Sequence, residues 1–275
     1  LAYFGPSNLL NFETYSGEPE LDMKDIMGLH EYSRLLLFKP SAEKLLVALQ
    51  FNGSPQLTTR SYDIFTVKVE ERMPEWQFRG DGVIDRVMLT NDLQTMVVLR
   101  QSKVTLLNCN DGTVVREFDL PFEEVTTASL DPQDNLVVIA EKETEEYTGP
   151  TLELFDLTGS SLWSANLNSP REEQPPCCNA EGHIFVIDGL MLKCFVASEL
   201  KWEQTLSGND NVWLTATKDG VVCIDGLSLR SFDTDGEEVF NIEITKQAEE
   251  FHAPAALDSG GRIYVAGTER LYCFE

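Results

Sequence analysis

The chain has 275 residues, with 46 acidic side chains against 21 basic ones and a formal charge of -25. That imbalance repels phosphate backbones and anionic lipid surfaces, so nucleic acid and acidic membranes are excluded as expected partners. The apolar runs, such as Leu35 to Phe38 and Leu45 to Leu49, are far shorter than the roughly 18 residues a membrane-spanning helix needs, and a soluble chain is expected.

In chain order, the short apolar and aromatic stretch "LAYFG" (Leu1 to Gly5) reads as a strand, and "FETYSGEPEL" as a hairpin turn at Gly17. Only Glu20 to Met27 has a pattern that fits a turn or two of helix. "LLLFKPSAEKLLVAL" follows as two strands, and "DIFTVKVEERMPEWQF" from Asp63 as a hairpin that lacks a glycine but ends in a Trp-bearing strand. "LNCNDGTVVREF" turns at Gly112 and "LFDLTGSSLW" at Gly159, with the charged insertion "EKETEEYTG" between them. "LKCFVASELKWEQTL" is a second glycine-free copy, and "SFDTDGEEVF" turns at Gly236. Each glycine turn follows Asp, Asn, Ser or Thr and separates two apolar runs, as hairpin chemistry requires.

Three stretches repeat most closely: "AEGHIFVIDGLMLKCF", "TKDGVVCIDGLSLRSFD" and "DSGGRIYVAGTERLYCFE". A glycine opens each β-branched or aromatic run, and a second glycine ends it before the next run. The whole pattern recurs about every 40 residues as four short strands, the signature of sheets arranged radially about an axis. The expected fold is therefore an all-β single-domain β-propeller. It has seven four-stranded blades, at about 6–28, 29–80, 81–121, 122–169, 170–208, 209–246 and 247–275, with residues 1–5 completing the last. Pairing of the two terminal strands closes the ring; six blades is the alternative.

The units "GGRIYVAGTERLYCFE" and "DGVVCIDGLSLRSFDTDGEEVFNIEI" resemble the pyrroloquinoline-quinone-type (PQQ-like) propeller repeat. "LLLFKPSAEKLLVAL" is similar to a step of the WD40 or YVTN-type repeat. These resemblances imply a propeller fold rather than one activity.

Candidate sites are few. Cys109, Cys194, Cys223 and Cys273 fall in apolar strands and read as buried free thiols, favouring the cytoplasm, with periplasmic or secreted location as the alternatives. Cys177 and Cys178 are adjacent behind Pro175 and Pro176, a pair that resembles the vicinal cysteines of quinone-dependent alcohol dehydrogenases. That resemblance implies a cofactor contact; the plainer reading is two reduced thiols at a strand start. His252 is expected near a channel mouth beside Glu249 or Glu250, and Trp213 near the axis. The equivalent Trp76, Trp163 and Trp202 are expected to pack between sheets. "DTDGEE" reads as a hairpin turn rather than a calcium loop, because the downstream ligands are lacking. Glu141, Glu143, Glu145, Glu146 and Tyr147 form a protruding loop suited to a partner. No catalytic residues and no metal ligands are assigned. The expected function is a monomeric, non-catalytic module binding a protein or peptide. A small-ligand binder or quinone-type oxidoreductase using the central funnel, with PQQ or a divalent cation bound, is the alternative.

Overall fold

The structure is a computed structural model that describes residues 2–4, 10–13, 19–22, 34–38, 44–51, 61–68 and 73–274, apart from 145–146, 172–173, 208–211, 244–250, 252–253, 259 and 268–269. Every regular element among them is a β-strand, and all strand pairs are antiparallel. The chain divides into two units, Leu1–Phe118 and Asp119–Glu275.

In the first unit, β1 (Ala2–Phe4), β2 (Leu10–Glu13) and β3 (Pro19–Asp22) form a three-stranded sheet. A four-stranded sheet follows from β4 (Arg34–Phe38), β5 (Lys44–Phe51), β6 (Ser61–Lys68) and β7 (Met73–Asp81). Another comprises β8 (Arg86–Leu89), β9 (Thr95–Arg100), β10 (Lys103–Asn108) and β11 (Val114–Asp119), the last running to the boundary of the unit. Two expectations change here. Residues 20–22 belong to strand β3 rather than to a helix. The ladder described for the N-terminal strand runs to β2 in the first sheet (Ala2↔Phe12, Phe4↔Leu10), not to the last one.

The second unit holds β12 (Val125–Leu130) to β15 (Ser161–Asn166), with β13 (Leu136–Glu143) and β14 (Thr148–Phe155) between them. Next come β16 (Cys177–Cys178), β17 (His183–Asp188), β18 (Met191–Val196) and β19 (Glu199–Thr205). They are followed by β20 (Val212–Thr217), β21 (Gly220–Asp225), β22 (Ser228–Asp233) and β23 (Glu238–Glu243). A three-stranded sheet, β24 (Ala256–Leu257), β25 (Ile263–Ala266) and β26 (Leu271–Phe274), ends the chain.

Second strands are buried on both faces, which is why they read as unbroken apolar runs: all six residues of β17 and of β21 are buried. Their period-2 alternation feeds two different cores. Ile184 and Val186 pack with Val137, Ile139 and Leu152 of the preceding sheet. Phe185 and Ile187 pack with Leu214, Val221, Cys223 and Phe232 of the following one. In β21, Val222 and Ile224 join Phe251, Ile263 and Val265. The two middle sheets of the unit, β16–β19 and β20–β23, are thus each sandwiched by their neighbours. Outer strands are largely exposed, as in β15 and β23.

The gap between neighbouring sheets widens outward. First strands lie side by side, β16 between β12 and β20. The side chains where they meet are small: Cys177 toward Ala216, and Cys178 toward Ser129. At the outer strand the filler is Trp202, whose ring tilts against Phe185 and Phe232 with centroids 5.9 and 6.1 Å away. Trp76, Trp163 and Trp202 occupy matching positions, opposite Thr66, Leu154 and Cys194, each directly after the bulge of its own strand. Phe240 holds the same place opposite Ser231.

Five hairpin turns share one bonding scheme. An Asp or Asn side-chain oxygen accepts the backbone N–H groups two and four residues on, at Asp131, Asp156, Asn179, Asp233 and Asp258. The residue three positions on takes positive φ: Gly159, Gly182, Gly236, Gly261, and Asp134 at 63°. Asp233 spends its carboxylate in this way, so "DTDGEE" is a plain turn. At the glycine-free turn between β18 and β19, Ala197 is forced to φ 52°. An L-residue is strained there. Ala197→Gly is expected to raise stability by about 0.5–1 kcal/mol in chemical denaturation, because the strain relieved exceeds the entropy glycine adds to the unfolded chain.

Candidate functional site

The most organised polar chemistry of the second unit lies where each sheet receives the chain from the one before. The repeated "IDGL" places Asp188 and Asp225 at the ends of β17 and β21, just before glycines at φ 65°. Both carboxylates are buried. Asp188 accepts the backbone N–H groups of Asn168 and Ser169, at 2.9 and 2.6 Å, and Lys193 Nζ at 2.6 Å. Asp225 accepts the N–H and hydroxyl of Ser207 and lies 3.4 Å from the guanidinium of Arg230. In both cases a second-strand carboxylate clamps the segment crossing from the previous sheet, and a third-strand cation neutralises it.

Burial alone would push Asp188 up, but Lys193 and the N–H groups of Ser169 and Asn168 outweigh it and hold the carboxyl below its ordinary range. Burial likewise works against the Arg230 cation, and its bonds to Glu238 and Asp225 keep it charged. Further buried carboxylates follow the same rule. Asp63 is bidentate to Arg79 at 2.7 and 2.8 Å, and Glu153 accepts Lys142 Nζ at 3.0 Å and the Ser161 hydroxyl. Partners on different strands leave no local pattern in the sequence, apart from the "IDGL" repeat that marks two of these pairs.

The adjacent cysteines do not form one site. On β16 they alternate: Cys177 joins the core with Phe185 and Cys194, and Cys178 joins the core with Val137 and Ile184. Both are free thiols. Burial raises the Cys177 thiol well above its ordinary value and lifts Cys178 to about 12. The two thiols thus face opposite sides of one strand. Cys194 and Cys223 are buried strand thiols as expected. Cys109 is buried in the turn after β10 rather than in a strand, and Cys273 is exposed on β26.

Trp213 packs on the core between the last two sheets and donates from Nε1 to the Phe251 carbonyl at 3.1 Å. Neighbouring Thr215 donates to the Ala255 carbonyl at 2.6 Å. Trp213 thus ties the segment entering the last sheet to β20. His252, Glu249 and Glu250 lie outside the described residues.

The charged insertion is a continuation of a hairpin. The β13–β14 ladder runs eight residues, through Glu141↔Pro150, Lys142↔Gly149 and Glu143↔Thr148. Of the corresponding ladders, β9–β10, β17–β18 and β21–β22 have six and β5–β6 has eight. Glu141 and Glu143 are exposed, while the Tyr147 hydroxyl folds back to within 2.7 Å of the Pro150 carbonyl and 3.0 Å of the Leu167 carbonyl. Tyr147 is therefore a strap that pins the finger to the crossing segment, and Glu145 and Glu146 lie outside the described residues. Among the described residues no group of three or more His, Cys, Asp or Glu is arranged to hold a metal ion, and no helix is long and apolar enough to cross a membrane.

No family model matches the chain, and no curated protein matches it. Among solved structures, the chain is similar to a protein of unknown function from Bacteroides caccae, at 14% identity and a TM-score of 0.50, over 79% of this chain and 81% of that one. That likeness concerns the fold alone.

Breaking a buried pair leaves an uncompensated charge, so Lys193→Met is expected to cost about 3 kcal/mol in denaturation at neutral pH. The depressed Asp188 carboxyl contributes stability that is complete above the unfolded-state value of about 3.9 and is lost as pH falls through its folded-state value. Lys193→Met therefore moves the acid limb of a thermal unfolding profile to higher pH.

Proposed function

We propose that the chain is a β-propeller of the PQQ-like or WD40-like kind that works as a non-catalytic interaction module, holding a basic protein or peptide against the acidic finger of β13 and β14. Seven blades is the favoured count, with six as the alternative. Support for the architecture comes from the second unit, where first strands lie side by side and the two middle sheets are each covered on both faces by their neighbours.

The observation that carries the function is the finger itself. It extends beyond the equivalent hairpins of the next two sheets, is stiffened by a continuous ladder and the Tyr147 strap, and presents Glu141 and Glu143 to solvent. A rigid acidic projection on a chain of charge -25 favours a cationic partner. The buried carboxylates Asp63, Glu153, Asp188 and Asp225 are engaged in holding strands and crossings. Recognition is accordingly assigned to the exposed surface.

Charge reversal tests this better than deletion, because removing the finger also removes the Tyr147 strap. Glu141→Lys combined with Glu143→Lys is expected to weaken captured partners about tenfold, since two exposed ion pairs made repulsive are worth about 1–2 kcal/mol. A variant retaining the same partners with unchanged affinity contradicts the reading.

A further inference from the structure

His183 begins β17, where the turn after β16 delivers the chain into its sheet. The ring is buried and stacks on Phe185, with centroids 6.3 Å apart and planes 14° from parallel. Its Nδ1 lies 3.2 Å from Asn179 Oδ1, and its Nε2 lies 3.4 Å from Lys201 Nζ on β19. A carbonyl oxygen only accepts and an ammonium only donates. One form of the ring satisfies both at once: neutral imidazole with its proton on Nδ1, donating to Asn179 and accepting from Lys201.

Lys201 in turn reaches Asp235 Oδ1 at 3.1 Å, in the turn joining β22 to β23 of the next sheet. Trp202, the residue after Lys201, donates from Nε1 to the Thr234 carbonyl of that same turn at 3.0 Å. The chain Asn179, His183, Lys201, Asp235 therefore crosses from one sheet to its neighbour beside the seat of Trp202. We propose that His183 is an acid-sensitive latch between these two sheets: neutral, it holds Lys201 toward Asp235; protonated, it repels Lys201 and loosens Trp202 on the β22–β23 turn.

The charged groups facing the ring come from three places. Lys201 approaches from β19, Glu181 Oε2 lies 3.9 Å from Nδ1 in the turn before β17, and Asp235 stands behind Lys201. Burial, then Lys201, push His183 below the ordinary imidazole value, and Glu181 and Asp235 pull the other way without prevailing. With the folded-state value depressed, the unfolded chain takes the proton first. Stability falls as pH drops below about 6.5 and continues to fall until the folded-state value is passed.

The test uses the full chain. The His183 ring is titrated by NMR alongside the Trp202 emission, taken as the difference between the wild type and Trp202→Phe. Expected are a His183 midpoint below 6.5 and an emission step at the same pH. The step vanishes in His183→Gln, and the midpoint rises by about one pH unit in Lys201→Gln as the repulsion is removed. The proposal is overturned by a midpoint at or above the ordinary value, by a midpoint indifferent to Lys201→Gln, or by an emission step that persists in His183→Gln. Should His183→Gln fail to fold, the Lys201→Gln titration decides alone.

Discussion

A tryptophan on the outer strand of one sheet resting on a glycine turn of the next is the contact on which the stacking of two sheet pairs depends, one pair in each unit. Trp76 donates to the Cys109 carbonyl 33 residues on, and Trp202 to the Thr234 carbonyl 32 residues on. Beneath them lie Gly112 and Gly236, where a Cβ would collide with the indole ring. Twisted sheets that meet at their first strands must part at their last, and dense packing requires side chains that grow with the gap. Cysteine, alanine and serine fill the narrow side, branched aliphatics and Phe185 the middle, and tryptophan the wide side. The glycine is needed because the turn must lie against the indole face while taking positive φ.

With apolar side chains filling the faces, the chain still has to cross from each outer strand back to the next first strand. Those crossings carry backbone N–H groups that need acceptors. Asp188 and Asp225 supply them, and Lys193 and Arg230 make the buried carboxylates tolerable. The Tyr147 strap does related work for the segment at Leu167. Buried polar groups thus serve the architecture.

The strands of the second unit were legible because glycine turns and buried second strands leave strong local patterns: "HIFVID" and "VVCID" announce themselves. The Trp positions were legible for the same reason, as repeats of one register. What could not be read was anything set by contact between distant residues. Glu20 to Asp22 look helical in isolation, yet pairing with β2 makes them strand. Cys177 and Cys178 are neighbours in sequence, and strand alternation sends them to different cores. Asp63 and Glu153 look like two of many carboxylates until Arg79 and Lys142 are placed beside them. The finger read as a loop because its ladder is polar, and polar strands carry no hydrophobic alternation to reveal them. His252 and the two central glutamates of the finger fall outside the described residues.

Gly236 and Gly261 offer a matched comparison for the tryptophan seat. Their φ angles are 85° and 84°, but a Cβ on Gly236 would lie 2.8 Å from Trp202 Cγ, whereas one on Gly261 meets nothing within 4 Å. Backbone strain is therefore common to both alanine variants, and the indole contact is present in one. Chemical denaturation of the two is the most direct measurement. Gly261→Ala should cost about 1 kcal/mol and Gly236→Ala about 1–3 kcal/mol more. Equal losses would mean that the sheets are held at their wide side by something other than tryptophan on glycine.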